Sequence, residues 1–116
     1  MPLPPLTPAQ RAEALARATE ARRVRAAVRA DLRRPGLDVA AALAAVIARG
    51  SVAGDHGQAI GKMRVAALLE AVPGIGKVRA AAIMERLEIS PSRRIRGLGA
   101  KQRAALAREF TPDSGD

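Results

Sequence analysis

The segment Pro73-Gly74-Ile75-Gly76-Lys77 restricts this chain more than any other, because of what stands on either side of it. Upstream, Val65, Leu68, Leu69 and Val72 recur at i, i+3, i+4 and i+7, the spacing of one helical face. Downstream, Ala80, Ile83, Met84 and Leu87 repeat that spacing. Pro73 has no amide hydrogen to continue the first helix, and the two glycines open backbone angles that a Cβ resists. The spacing therefore predicts helix, tight hairpin, helix.

Such a hairpin has a chemical use. The second helix begins near Lys77, so its first N–H groups lack intrahelical partners and carry the positive end of the helix dipole. Glycines let an anion approach the main chain, and Lys77 and Arg79 add formal charge. Gly74, Ile75, Gly76, Lys77 and Arg79 thus form a candidate phosphate site. The plain alternative is a connector that only caps helices. The hydrophobic-Pro-Gly-hydrophobic-Gly pattern, with Ala80 and Ile83 at set distances beyond it, resembles the helix-hairpin-helix module that grips the DNA backbone without reading bases.

A second basic block follows the bend at Ile89-Ser90-Pro91-Ser92. Arg93, Arg94 and Arg96 precede Gly97-Leu98-Gly99, which echoes Gly74-Ile75-Gly76, and another helix is expected from Ala100 to Phe110. Lys101, Arg103 and Arg108 add charge there, and Leu106 and Phe110 are its packing residues. Arg93, Arg94, Arg96, Gly97, Gly99 and Lys101 complete the primary candidate DNA-binding set.

The totals fit these two loci. The 116-residue chain carries a net charge of +9 with a pI near 11.6, which points to a polyanion. Apolar residues make up 48% but aromatics only 1%, so the core must be small, aliphatic and alanine-rich, in helices. Few aromatics also argue against single-strand binding by base stacking. There is no cysteine, which removes disulfide and thiolate-metal chemistry, and His56 beside Asp55 reads as a solvated loop residue. No apolar run is long enough to span a bilayer, and residues 1–6 have no signal-peptide layout. The expectation is a soluble protein of the cytoplasm or nucleoid with no membrane partner.

Along the chain, residues 1–6 are proline-rich and expected to be extended. Thr7-Pro8-Ala9-Gln10 carries a capping-box start, and no breaker follows until Pro35-Gly36. On that long helix Arg11, Arg22, Arg25, Arg29 and Arg33 share an arc of roughly 80° at about 100° per residue. Ala14, Ala21, Val24, Val28 and Leu32 form the neighbouring arc, with Glu13, Glu20 and Asp31 beyond it. This separation of signs makes Arg22, Arg25, Arg29 and Arg33, with Lys62 and Arg64, candidates for secondary DNA contacts. A shorter helix starts after Asp38 and ends at Gly50, and the glycine-rich stretch from Ser51 to Gly61 reads as a loop with at most one helical turn. The chain divides into a lead and long basic helix (1–36), a compact all-α helical domain (37–110) and a disordered tail (111–116).

Several blocks, in order, carry a family resemblance: Leu3 to Arg11, Gly61-Lys62-Met63-Arg64-Val65, Leu68 to Pro73, Gly76-Lys77-Val78, and Ser92 to Gly99. Together they resemble the actinobacterial integration host factor over most of residues 3–110. That family is similar in fold to the helix-two-turns-helix modules of a small-subunit ribosomal protein and of formamidopyrimidine-DNA glycosylase, and is unrelated to the β-armed bacterial factor of the same name. The resemblance implies a nucleoid-associated architectural protein that binds double-stranded DNA with little sequence preference, bends or reshapes it and assists a phage integrase. By that likeness Arg93, Arg94 and Arg96 match the family's basic run and Pro73 to Lys77 its hairpin. The stretch 50–60 departs from it, being looser and slightly longer.

Both readings place contacts on phosphate and sugar through amides, Lys and Arg, with preference set by groove width and deformability. Ile75, Ile95 and Leu98 are weighed as wedges between base steps, with buried packing favoured for each. A structured-RNA module, read through A-form shape and 2′-OH, is the alternative. An enzyme is not expected: Pro2 would become N-terminal if Met1 were removed, as in glycosylases of the related fold, but Leu3 follows it rather than an acid. The remaining carboxylates are scattered, and no Ser/His/Asp set, P-loop or metal cluster is visible. No cofactor is expected, although related hairpins leave room for a monovalent cation, and the chain is expected to be a monomer.

Overall fold

A computed structural model describes residues 4–111. Six α-helices fill it: α1 (Pro8–Asp31), α2 (Val39–Arg49), α3 (Asp55–Gly61), α4 (Val65–Glu70), α5 (Lys77–Arg86) and α6 (Ala100–Phe110), with a single 3₁₀ turn at Ile95–Gly97 before the last. No strand occurs among the described residues. Their only sheet-like pairing is one antiparallel bridge between Arg64 and Arg94. Met1 to Leu3 and residues 112–116, which include nearly all of the expected tail, lie outside the described residues.

The helix starts follow local chemistry. Thr7 Oγ1 accepts from the Gln10 amide at 3.1 Å while the Gln10 side chain accepts from the Thr7 amide at 2.9 Å, closing the capping box. Asp38 Oδ1 accepts from the Ala41 amide at 3.1 Å and opens α2. α5 ends in a Schellman motif: the Ile89 amide reaches the Met84 carbonyl at 2.8 Å and the Glu88 amide that of Glu85 at 3.1 Å. Glu88 takes the left-handed position at φ 59° and turns the chain toward the second basic block.

α1 stops earlier than its sequence predicts. It ends at Asp31 with Leu32 as its cap, three residues before Pro35. A proline disfavours helical angles in the residue before it, and Gly36 then reverses the chain at φ 72°. The first half of α1 is exposed throughout from Pro8 to Arg17, so it projects. Its second half does not stand apart: Val24, Val28 and Leu32 are buried in the same core as Leu43, Ile47, Ile60, Leu68, Leu69, Ile83, Ile95 and Leu106.

The stretch read as a loop contains α3. Its glycines serve packing rather than turning. A Cβ on Gly57 would run into the Val52 carbonyl, and one on Gly61 would come within 2.6 Å of the Gly50 carbonyl oxygen. Gly50 and Gly61 therefore let α2 and α3 touch backbone to backbone, while Ala59 and Ile60 bury against the core. Residues 51–54 form an exposed turn, and α3 after them packs along α1.

Candidate nucleic-acid interface

The hairpin forms as the pattern requires. The Ile75 amide donates to the Val72 carbonyl at 3.1 Å across Pro73-Gly74, and Gly74 has φ +84°, the arrangement of a type II turn with proline first and glycine second. Ile75 tucks into the core at 7% exposure, anchoring the turn from below. Gly76 is the extended residue that starts α5, with no side-chain cap. Among the described residues the amides of Gly74, Gly76, Lys77, Val78 and Arg79 meet no protein acceptor. Five N–H groups thus stand open at one helix mouth, with Lys77 and Arg79 exposed beside them. Sequence reasoning passed over Val78, which is 86% exposed between those two cations.

The second block is built differently. The bridge welds it to the start of α4: the Val65 amide donates to the Arg93 carbonyl at 3.0 Å and the Ile95 amide to the Met63 carbonyl at 2.9 Å. Arg94 gives one guanidinium N–H to the Lys62 carbonyl at 2.6 Å. Arg96 is exposed, its side chain lying over Gly61. Gly97 and Gly99 do not offer open amides. That of Gly97 donates to the Arg94 carbonyl at 2.9 Å, and that of Gly99 to Gln102 Oε1 at 3.1 Å. Their echo of the first hairpin is limited to Gly99, an extended helix start like Gly76, since Gly97 lies in the 3₁₀ turn and Gly74 is left-handed; Lys101 is exposed in the first turn of α6. Ile95 and Leu98 are 1% and 3% exposed, so with Ile75 they pack inside and none is free to wedge between bases.

α4 is six residues long, about 9 Å at 1.5 Å per residue, and holds the hairpin at one end and the Arg64–Arg94 bridge at the other. A groove of about 610 Å³ runs along α5, with Lys77, Ala81 and Met84 on one side and Ser90 and Pro91 leading into the basic run.

The secondary candidates split into two neighbourhoods. Arg22, Arg25 and Lys62 line one cavity of about 430 Å³ between α1 and α3, joined by Arg17 and Gln58. Arg29 and Arg33 lie one step along α1, beside Ala67, Glu70 and Ala71. Arg64 stays with the bridge. The separation of signs on α1 is only partial. Arg17 pairs with Glu13 at 3.5 Å at the edge of the cavity that Arg22 and Arg25 line, and Arg23 with Glu20 at 3.8 Å. Among the described residues no ion pair engages Lys77, Arg79, Arg93, Arg94, Arg96, Lys101 or the α1 stripe; the pairs use Arg17, Arg23, Arg34 and Arg86. His56 is exposed, and its Nε2 faces an Arg49 guanidinium nitrogen at 2.9 Å.

Residues 38–110 match the S13-like H2TH domain. The chain is 56% identical over 110 residues to the integration host factor of Streptomyces coelicolor, covering 95% of each chain. It is 46% identical to that of Mycobacterium tuberculosis, covering 95% of this chain and 97% of the relative. The chain belongs to the actinobacterial integration host factor family. A solved structure described as sIHF bound to an 8-base-pair palindromic DNA superposes with a TM-score of 0.71 at 51% identity, covering 83% of this chain and 99% of that one.

Proposed function

We propose that this protein is an architectural DNA-binding protein that holds double-stranded DNA by its phosphate backbone and has no catalytic role. The observation that carries the reading is the solved relative, 51% identical and bound to a DNA duplex. The site supports it independently. Open amides at the α5 mouth, Lys77, Arg79, Arg94, Arg96 and Lys101 are anion ligands, and none is consumed by a protein carboxylate. The surface has little equipment for reading base edges, so preference comes from groove width and ease of bending. Bending or reshaping of the duplex, support of an integrase and residence in the nucleoid belong to this proposal. A duplex-bound relative also favours DNA over structured RNA.

The test is a salt titration of duplex binding. Each neutralised phosphate contributes about −0.9 to the slope of log affinity against log salt. The variant Lys77→Ala/Arg96→Ala should flatten that slope by roughly 1.8 and weaken every duplex sequence to a similar degree. A folded double variant that binds as well as wild type removes these residues from the interface. Matched duplex RNA competing as well as duplex DNA would move the assignment to RNA.

A further inference from the structure

The three arginines of the basic run are not equivalent. Arg93 is half-buried, while Arg94 and Arg96 are exposed. The Arg93 side chain folds back over its own turn, and Nη1 donates to the Gly97 carbonyl at 3.1 Å. Its Nε is fully buried and meets no acceptor. Its backbone is committed too: the amide donates to the Ser90 carbonyl at 2.9 Å and the carbonyl accepts from Val65 at 3.0 Å. A Cβ at Gly97 would sit 3.1 Å from Arg93 Cδ and 3.4 Å from Nη1, so the glycine leaves the space that this side chain occupies. From the other side, Arg103 donates through Nε and Nη2 to the Leu98 carbonyl at 3.3 and 3.2 Å. Two guanidinium groups thus clamp adjacent carbonyls of the turn that carries Arg96 and leads into α6.

We propose that Arg93 is a positioning residue rather than a phosphate ligand: clamped on the Gly97 carbonyl, it sets the Arg96 turn in the orientation that meets the duplex. The proposal rests on the DNA-binding function above and assigns roles within that site. To reach a phosphate through Nε, Arg93 would have to leave Gly97 and let the turn go. A buried donor without an acceptor is costly, and it persists where the surroundings fix the group in place. Charge alone does not do this work, because a lysine lacks the planar fork that spans from the stem to a carbonyl.

A ligand and a positioner differ in their salt signature. Loss of a phosphate ligand changes the slope of log affinity against log salt by about 0.9, whereas a loosened turn that still docks Arg96 on binding adds only an ordering cost, which lowers affinity by a similar factor at every salt concentration. We expect Arg93→Gln to weaken duplex binding by about three- to tenfold with slope unchanged, a shift of the size a loosened site produces. Arg93→Lys should be as deficient despite keeping the charge. Gly97→Ala, whose Cβ crowds the Arg93 stem by a few tenths of an ångström, should give a parallel shift no larger than that of Arg93→Gln, and the Arg93→Gln/Gly97→Ala double variant should be no worse than Arg93→Gln. Arg96→Ala is the contrast, with a flatter slope and an unchanged melting temperature. All measurements are made well below the melting temperature of each variant, with helicity checked by circular dichroism. A slope change near 0.9 in Arg93→Gln, rescue by lysine, or unaltered binding each overturns the proposal. Failure of the wild-type chain to bind duplex DNA in a salt-dependent way overturns the function itself.

Discussion

The two hairpin glycines perform different tasks, and the difference can be measured. Gly74 sits at φ +84° with open space where a Cβ would point, so only its backbone angle requires glycine. Gly74→Ala should therefore destabilise the fold by about 1–2 kcal/mol, the cost of a left-handed angle for an L-residue. Gly76 has an ordinary extended backbone, φ −88° and ψ −175°, and again nothing near its Cβ position. The free protein does not need glycine there. A serine would accept from the open amides of α5 as an N-cap and leave stability unchanged or raise it by a few tenths of a kcal/mol, roughly. The same hydroxyl and Cβ would occupy the room a phosphate needs. The expected outcome of Gly76→Ser is a melting temperature at or above wild type with weakened duplex binding. If binding holds, the open amides are not phosphate donors. Denaturant melts and gel shifts on the two variants separate the roles.

At the scale of elements, α6 packs on α2 and is tied to α5 by an ion pair. Arg86 Nη1 and Nη2 donate to the Glu109 carboxylate at 2.5 and 2.9 Å. That hydrogen bonding, more than the charge of Arg86 or of Arg79, holds the Glu109 carboxyl below the usual carboxylate range, against the opposing effect of its partial burial. A folded-state pKa below the unfolded one gives stability that is present above the ordinary carboxylate value of about 4.3 and lost as pH falls through the folded value. Glu109→Gln should lower the melting temperature at neutral pH, with the deficit closing in acid as the wild-type carboxyl is protonated. A deficit that persists at the acid end would assign the loss to packing instead. The elements whose signals are local were readable in the sequence: the Thr7 and Asp38 caps, the Pro73-Gly74 turn and the Ala100–Phe110 helix. α3 was not, because Gly57 and Gly61 look like turn residues and serve a contact with Val52 and Gly50. No periodicity contains that contact. The folding of Arg93 onto Gly97 was hidden for a similar reason: a run of arginines reads as charge, and only the tertiary structure shows which one is held inside.

Across the whole molecule Lys62 links the α1 arginines to the second basic block. Its carbonyl accepts from Arg94, and its side chain lines the cavity shared by Arg22 and Arg25. The α1 stripe therefore adjoins the second basic block, and the six residues of α4 separate that block from the hairpin. The molecule measures 61 × 32 × 26 Å, its long dimension extended by the projecting start of α1. An 8-base-pair duplex like that bound by the solved relative is about 27 Å long at 3.4 Å per base pair, which falls well short of this length. A duplex of about 20 base pairs, near 68 Å, exceeds it. If one duplex spans the hairpin, the second block and the α1 arginines, the reach of the DNA decides which cations it meets. Arg22→Ala/Arg25→Ala should flatten the salt slope by about 1–2 on the longer duplex and leave it nearly unchanged on an 8-mer seated at the hairpin. Neither arginine is buried and neither forms an ion pair among the described residues, so the fold should survive the change. An equal effect on both lengths would mean that α1 meets DNA independently of the hairpin. The protein would then tie two duplexes together rather than lie along one.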